Sequence, residues 1–511
     1  MDRACGILLP VFSLPSPYGI GCFSKEAYAF VDFLAAAGAS YWQVLPMGPT
    51  GYGDSPYQSF STFAGIPYFI DPETLAKDGW ISKTSLRRYD FGKDAARIDY
   101  GKLFEHRIAM LREAYQGSPF GKGGIGREVR EFHAFVRKNK HWLPDYALFM
   151  ALKAAHGGAS WETWEEDLRL RRIRAINLAR REYADEIGFQ YFLQFIFDKQ
   201  WRALKAYAAR KGIKIIGDLP IYVAYDSSDV WAQPELFYLD EHARMIEVAG
   251  CPPDDFTKLG QLWGNPLYRW DVHAKQHYAW WTERMRHAFT LYDVVRMDHF
   301  RGFEAYYCIK ASRRDAVKGV WRKGPGAALF KAVEKAIGKQ EIIAEDLGFL
   351  TPAVHKLKNG LGYPGMKVLQ FAFYPDEKGN YTSDYLPYQY DKNCVVYTGT
   401  HDNHTTRGWW ETMKKKDAAY AWKYLQPQLL KAEKKEAEGK AVTRAMVTAA
   451  LASTADTAVL PMQDLLLLGA EARINTPSTI GENWVWRMEQ GAASKALAKE
   501  FRAQAEVYGR L

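Results

Sequence analysis

Eight short, nearly unbroken apolar runs are spread along the chain, and several stop abruptly at a polar or charged residue. They are GILLPVF (6–12), YWQVLP (41–46), IKIIGDLP (213–220), YDVVRMD (292–298), QEIIAED (340–346), KVLQFAF (367–373), NCVVYTGTHD (393–402) and DLLLLGAEARIN (464–475). Runs this short fit strands buried on both faces, as in parallel sheets. Their number is the number a (β/α)8 barrel needs. Amphipathic stretches lie between them, at 24–38, 189–212 and 328–339, each ending at or next to a glycine with the next run a few residues on. The sequence therefore predicts an α/β fold: a single (β/α)8 TIM barrel spanning 1–511.

Two gaps are too long for simple crossovers, from about Gly48 to Phe189 and from about Val223 to Leu291. Both read as insertions at the C-terminal face of the barrel, where loops build the active site. Residues 75–185 are expected to form a mainly helical subdomain, 223–291 an active-site loop region, and 410–463 a helical insertion.

Several function classes drop out. No apolar stretch is long enough for a membrane span, and MDRACGILLPVF has no signal-peptide layout. A cytoplasmic protein without a membrane partner is expected. The five cysteines, Cys5, Cys22, Cys251, Cys308 and Cys394, are scattered and form no C-x-x-C pair, so free thiols are expected. The net charge of +9 raises nucleic acid as a partner. Its basic stretches, RLRRIRAINLARR (169–181) and KAEKKEAEGK (431–440), read instead as solvated helix faces with acids nearby. No nucleic-acid motif is present. Seventeen Trp and 31 Tyr supply flat rings suited to sugar faces as well as to a core.

The chemistry sits where the runs end. Asp218, Asp298, Glu345 and Asp402 each stand at or just past a predicted strand end, and a barrel converges those ends on one face. One such acid is as readily a helix cap. Four together point to carboxylate chemistry on glycosides. In VVRMDHFRG (294–302), Arg296 and Asp298 are two apart and face the same way. A guanidinium beside a carboxylate favours the ionised form a nucleophile needs. In IIAEDLG (342–348), Glu345 and Asp346 face opposite ways, and spacing alone does not choose the acid/base between them. In TGTHDNHTTRGWW (398–410), the cluster His401, Asp402, Asn403 and His404 reads as hydrogen bonding to sugar hydroxyls in preference to a metal site. GCPPDDFTKLGQLWGNPLYRW (250–270) and TGYGDSPYQSFSTFAG (50–65) read as functional loops, with Trp263 as a stacking surface.

Taken in order, GDLPIYVA, CPPDDF, GQLWGNPLY, RMDHFRG, AEDLG, GTHDN and NTP resemble the amylomaltase family of 4-α-glucanotransferases, within the α-amylase superfamily. The likeness runs from GYGDSPYQSFS to RINTPSTIGENWVWR (473–487). It implies roles position by position. Asp298 corresponds to the nucleophile, Glu345 to the acid/base, and Asp402 to the acid that stabilises the transition state. Arg296, His299, His401 and Asp218 correspond to residues around the reacting glucose, and Tyr57 to a tyrosine stacked on it. Trp263 corresponds to the loop that covers bound glucan and Asn475 to a sugar contact after the last strand, and Asn265 and Pro477 are implied as further substrate-binding positions. Cys251, Met297 and Ser478 depart from the usual pattern without removing a reacting group.

The resemblance implies a retaining double displacement on maltooligosaccharides and α-1,4-glucans, which serve as donor and acceptor. No metal and no cofactor is implied, and the chain is expected to be a monomer or weak homo-oligomer. Retention predicts a carboxyl separation of roughly 5–5.5 Å. The alternatives are an α-glucan hydrolase, which shares the first chemical step, and a non-catalytic glycan-binding protein.

Overall fold

A computed structural model of the chain describes residues 3–51, 53–253, 258–348, 350–376, 378–430 and 433–511. Among them the strands are β1 (Ala4–Leu8), β2 (Tyr41–Gln43), β3 (Lys214–Leu219), β4 (Glu247–Cys251), β5 (Gln261–Pro266), β6 (Val294–Met297), β7 (Ala305–Lys310), β8 (Val320–Lys323), β9 (Glu341–Ala344), β10 (Gly365–Val368), β11 (Cys394–Tyr397) and β12 (Thr457–Pro461). Eight form one parallel sheet in the order β10-β11-β12-β1-β2-β3-β6-β9. Its two edges meet where the Ala344 N–H donates to the Pro364 carbonyl at 2.9 Å, so the sheet is nearly closed into a barrel. The helices Lys25–Ala36, Ala184–Arg210, Ala279–Leu291, Ala327–Ile337, Pro352–Leu361 and Glu438–Ala452 connect consecutive barrel strands. Among the described residues, only short 3-10 turns lie between β10 and β11.

Strand periodicity decides what fills the ring. Ile216, Val294, Ile343, Val395 and Val459 pack with Tyr41, Met366 and Tyr397 into one buried cluster. Two residues further along β3 and β6, on the same face, stand Asp218 and Arg296. Another two-residue step from Arg296 reaches Asp298, and from Ile343 it reaches Glu345. The barrel is thus apolar at its floor and charged at its C-terminal mouth. Gly6 keeps the floor open: a Cβ there would lie 2.7 Å from the Cβ of Tyr41.

Seven of the eight apolar runs overlap a barrel strand, and five of them contain it whole. The eighth does not. The last strand is Thr457–Pro461, inside the stretch read as a helical insertion. DLLLLGAEARIN instead continues the one-turn helix Met462–Leu465 and a 3-10 turn at Ala470–Ala472. TAVLP is buried at all five positions, whereas Leu465 to Leu468 are only half-buried and Leu467 has φ 57°. The apolar run covers the barrel rim, and the shorter one enters the sheet.

The region 223–291 is also more regular than a loop. β4 and β5 pair antiparallel within a second sheet of order β5-β4-β7-β8, and the region ends in the crossover helix Ala279–Leu291. Of the CPPDDF motif, residues 254–257 lie outside the described residues. The segment 75–185 carries helices at Ile108–Gly117, Arg127–Lys138, Leu143–Ala155 and Ile173–Glu182. The five cysteines are all free thiols. No helix among the described residues is long and apolar enough to cross a membrane.

Candidate active site

β3, β6 and β9 lie side by side and deliver Asp218, Asp298 and Glu345 to one mouth. Arg296 is the hub. Its Nη1 donates to both carboxylate oxygens of Asp218 at 2.8 Å and to Oδ1 of Asp298 at 3.1 Å. The side chains of Arg296 and Asp218 are 4% and 0% exposed, that of Asp298 26%. The buried pair is therefore scaffold, and Asp298 is the member open to a ligand.

Past Asp298 the chain turns sharply. His299 adopts φ 46°, a left-handed conformation that is costly for a residue with a Cβ. This turn aims the His299 N–H at Oε2 of Glu345, 2.8 Å away, while the Leu347 N–H donates to Oε1 at 2.9 Å. Asp346 points the other way. It accepts from the Met366 N–H and from Lys358 Nζ, each at 2.6 Å. That division resolves the pair of acids: Asp346 is committed to structure, and Glu345 faces the mouth.

Burial pushes the Glu345 carboxyl up to about 7. The Arg296 guanidinium pulls against this, and the negative charge of Asp298 adds to it. A carboxyl of this kind is protonated near neutrality and able to give its proton away. Burial also lowers His299, to about 4, so its ring is neutral.

The third side of the mouth comes from the loop after β11. The Tyr57 hydroxyl donates to Oδ2 of Asp218 at 2.8 Å and meets Nε2 of His401 at 2.8 Å. The two rings stack, with centroids 5.2 Å apart. His401 Nε2 also lies 3.3 Å from Oδ2 of Asp402. Asn475 Nδ2 donates to the other Asp402 oxygen at 2.7 Å, and Arg473 holds the Asp402 carbonyl at 3.0 Å. Desolvation pushes the Asp402 carboxyl up, but His401 and Asn475 outweigh it and hold it well below the usual carboxylate range. Burial lowers His401, and the charge of Asp402 more than restores it. Asp402 is thus an ionised group, 46% exposed and fixed in direction.

Trp263, on β5, is half-buried and meets the His299 ring edge-to-face at 4.8 Å. Asn265 is buried. Its amide donates to the Val223 carbonyl at 2.9 Å and accepts from Gln58 at 3.3 Å. Pro477 is exposed in the loop beyond Asn475. Neither Asn265 nor Pro477 hydrogen-bonds to the carboxylates of the cluster. Asn403 accepts from the Thr400 N–H at 2.9 Å and shapes its own loop. Among the described residues, no group of three or more His, Cys, Asp or Glu is placed to hold a metal.

Three contributors escape a sequence reading. Trp484 packs on Tyr57 and His401, with centroids 5.9 and 6.1 Å away. Arg473 braces Asp402 from the far side of the chain. Asp464, fully buried, accepts from Thr398 Oγ1 at 2.6 Å, Thr406 Oγ1 at 2.6 Å and the Thr406 N–H at 2.8 Å. It pins both ends of the loop that carries His401 and Asp402. The polar Thr398 and Thr406 flanking that loop were the available signal, but nothing in the sequence joins them to position 464.

Known proteins resemble this chain over its length. A sequence profile described as 4-alpha-glucanotransferase matches residues 9–493. The 4-alpha-glucanotransferase of Thermus thermophilus is 47% identical over 513 residues, covering 100% of both chains. That of Clostridium butyricum is 44% identical over 502 residues, 98% of this chain and 99% of the other. Among solved structures, the amylomaltase of Streptococcus agalactiae in complex with acarbose superposes with a TM-score of 0.94 at 39% identity, covering 100% of each chain.

Proposed function

The chain belongs to the 4-alpha-glucanotransferase family, and from that premise we propose that Asp298, Glu345 and Asp402 carry out the transfer of α-1,4-glucan segments to the 4-OH of an acceptor glucose or glucan. The observation that carries the assignment is the contrast between two neighbouring acids. Both are half-buried, but desolvation pushes the Glu345 carboxyl up to about 7. Asp298 receives a hydrogen bond from Arg296.

Glu345 gives its proton to the glycosidic oxygen as the bond to the leaving glucan breaks, and an Asp298 oxygen attacks the anomeric carbon. This leaves a glycosyl ester on Asp298 and a carboxylate on Glu345. The carboxylate then removes the proton from the 4-OH of the acceptor, the new oxygen attacks the same carbon, and the ester bond breaks. Inversion twice gives retention, with one α-1,4 bond broken and one formed. Asp402 meets the positive charge that develops on the sugar ring at each transition state. Tyr57 offers its ring to the sugar held between the carboxylates, and Trp263 covers the glucan from the second sheet.

Maltooligosaccharides and longer α-1,4-glucans are the donors and acceptors in this reading, and a monomer or weak homo-oligomer suffices because all these residues come from one chain. That the Streptococcus agalactiae amylomaltase forms a complex with acarbose supports an oligosaccharide as the ligand.

Incubation with maltotriose tests the function. A ladder of longer glucans together with glucose is expected. Glucose and maltose without longer products would assign hydrolysis instead.

A further inference from the structure

The segment that follows Tyr57 leads away from the mouth, and residues 61 and 63 form one side of an open cleft of about 260 Å3. Its other sides are the start of the helix Leu143–Ala155, the short helix Ser228–Ala232 and the start of the helix Ala279–Leu291. None of Asp298, Glu345 and Asp402 lines it. Pockets for drug-sized ligands run to roughly 300–1,000 Å3, so this cleft suits one small ring and not a chain.

One wall is aromatic. Phe63 and Trp142 stack with centroids 6.0 Å apart, and Trp280 meets Phe63 edge-to-face at 6.4 Å. The Trp280 indole N–H finds no acceptor among the described residues, yet it is not sealed from solvent. The Gln233 side-chain amide, half-buried at the rim, makes no hydrogen bond to the described residues. Deeper in stands Asp229, 5% exposed. Its Oδ2 accepts from the Thr62 N–H at 2.8 Å, and its Oδ1 accepts from no other described residue. Burial pushes this carboxyl up to about 6. The charge of Arg284 acts on it, but the Arg284 nitrogens are spent on Thr62, Ile221, Tyr268 and Pro220. A buried carboxyl with an idle oxygen is costly unless a donor meets it.

The acids at the rim are matched. Asp145 lies 2.7 Å from Arg171 and 3.4 Å from Arg180, and Glu283 pairs with Arg286 at 3.2 Å. The cleft therefore offers separate hydrogen-bond donors and acceptors beside ring carbon, without an unmatched rim charge to hold an ion. A sugar has the complementary make-up. Its hydroxyls both donate and accept, and its C–H faces pack on aromatic rings.

We propose that this cleft binds one neutral sugar ring, whose hydroxyls meet Asp229, Trp280 and Gln233 beside the Phe63–Trp142 wall. The site is separate from the carboxylate mouth and does not rest on the function assigned there.

Isothermal titration with glucose tests it, using the full chain carrying Asp402→Ala so that the mouth has lost its fixed carboxylate. Saturable 1:1 binding is expected, and crystals soaked in glucose should show the ring beside Asp229. Adding Asp229→Asn turns an acceptor towards a donor and should weaken binding by about tenfold or more, the size of a hydrogen bond to a charged group. Adding Gln233→Ala, at the half-buried rim, should weaken it about two- to tenfold. The second variant should leave the melting temperature unchanged, which guards against a folding defect in the first. Glucosamine should bind no tighter than glucose. Glucosamine tighter by tenfold or more would make the cleft a cation site and overturn the sugar reading. No saturable binding of glucose, affinity untouched in both variants, or density for glucose in the mouth alone would overturn it as well.

Discussion

The backbone N–H of His299 donates to Oε2 of Glu345 at 2.8 Å, so the residue that follows Asp298 in the chain is tied to the carboxyl facing it. The strained turn at His299 makes that contact, and it couples the positions of the two acids proposed to react. The same contact favours the ionised form of Glu345, but burial and the charge of Asp298 win, leaving the group near 7.

Glu345 must be protonated to start the reaction, so kcat/KM should fall as pH rises through about 7. Glu345→Gln should lose that alkaline limb and slow turnover of maltotriose by about 10^2–10^4-fold. A donor with an activated leaving group, such as α-glucosyl fluoride, should recover most of the first step. There is also a stability signature. The folded-state pKa is raised from an ordinary 4.5, so between 4.5 and about 7 the folded chain holds more protons than the unfolded one. Stability from this group is full below 4.5 and is lost as pH rises through that window. The melting advantage of Glu345→Gln over wild type should therefore grow from pH 5 to pH 8. A variant with an unchanged pH profile would remove Glu345 from the acid/base role.

Asp298→Ala should lose turnover by about 10^4-fold or more, the scale seen when a covalent nucleophile is removed, while still binding maltooligosaccharide. Removing the nucleophile leaves Arg296 paired with Asp218, so the fold should persist. Mass spectrometry of wild-type protein quenched during turnover of α-glucosyl fluoride should find a glycosyl adduct on the peptide containing Asp298. An adduct on another residue, or near-normal activity in the variant, would refute the assignment.

Much of this site was legible in the sequence because short barrel strands bring chain-distant acids together by topology alone. Asp218, Arg296 and Asp298 follow from strand ends and two-residue periodicity, whereas the choice of Glu345 over Asp346 came from the family resemblance. β12 was not legible. Its five residues follow the Ala-rich helix Glu438–Ala452 almost directly, and the longer leucine run after it is the stronger apolar signal. Burial on both faces distinguishes them, and that depends on neighbours no local pattern contains. Asp464 and Arg473 were missed because each acts on a loop from another part of the chain.

Asn475→Ala should cost about 10–100-fold in kcat, the range for a hydrogen bond to a charged group. The amide fixes one oxygen of Asp402 at 2.7 Å, and His401 alone is left to orient the carboxylate. With Asn475 gone, one of the groups holding Asp402 well below the usual carboxylate range is lost. Its pKa then rises, and the acid limb of the rate profile should move to higher pH. A loss in KM alone, with kcat and the acid limb unchanged, would make Asn475 a simple sugar contact.

Asp464 offers the sharpest test of how the loop is positioned, because it touches no reacting group and acts only by accepting hydrogen bonds. Thr398 and Thr406 bracket His401 and Asp402, and both donate to it from a fully buried position. Asp464→Asn turns one acceptor into a donor and leaves a threonine donor facing it, at a cost of about 1–3 kcal/mol. The variant should melt earlier, and kcat should fall more than KM changes, since the loop reaches the transition state through Asp402. Thr398→Val removes one donor and should partly relieve Asp464→Asn, so the double mutant should lose less stability than the two single losses summed. Strict additivity, or a normal kcat in Asp464→Asn, would show that the loop holds its shape without the clamp.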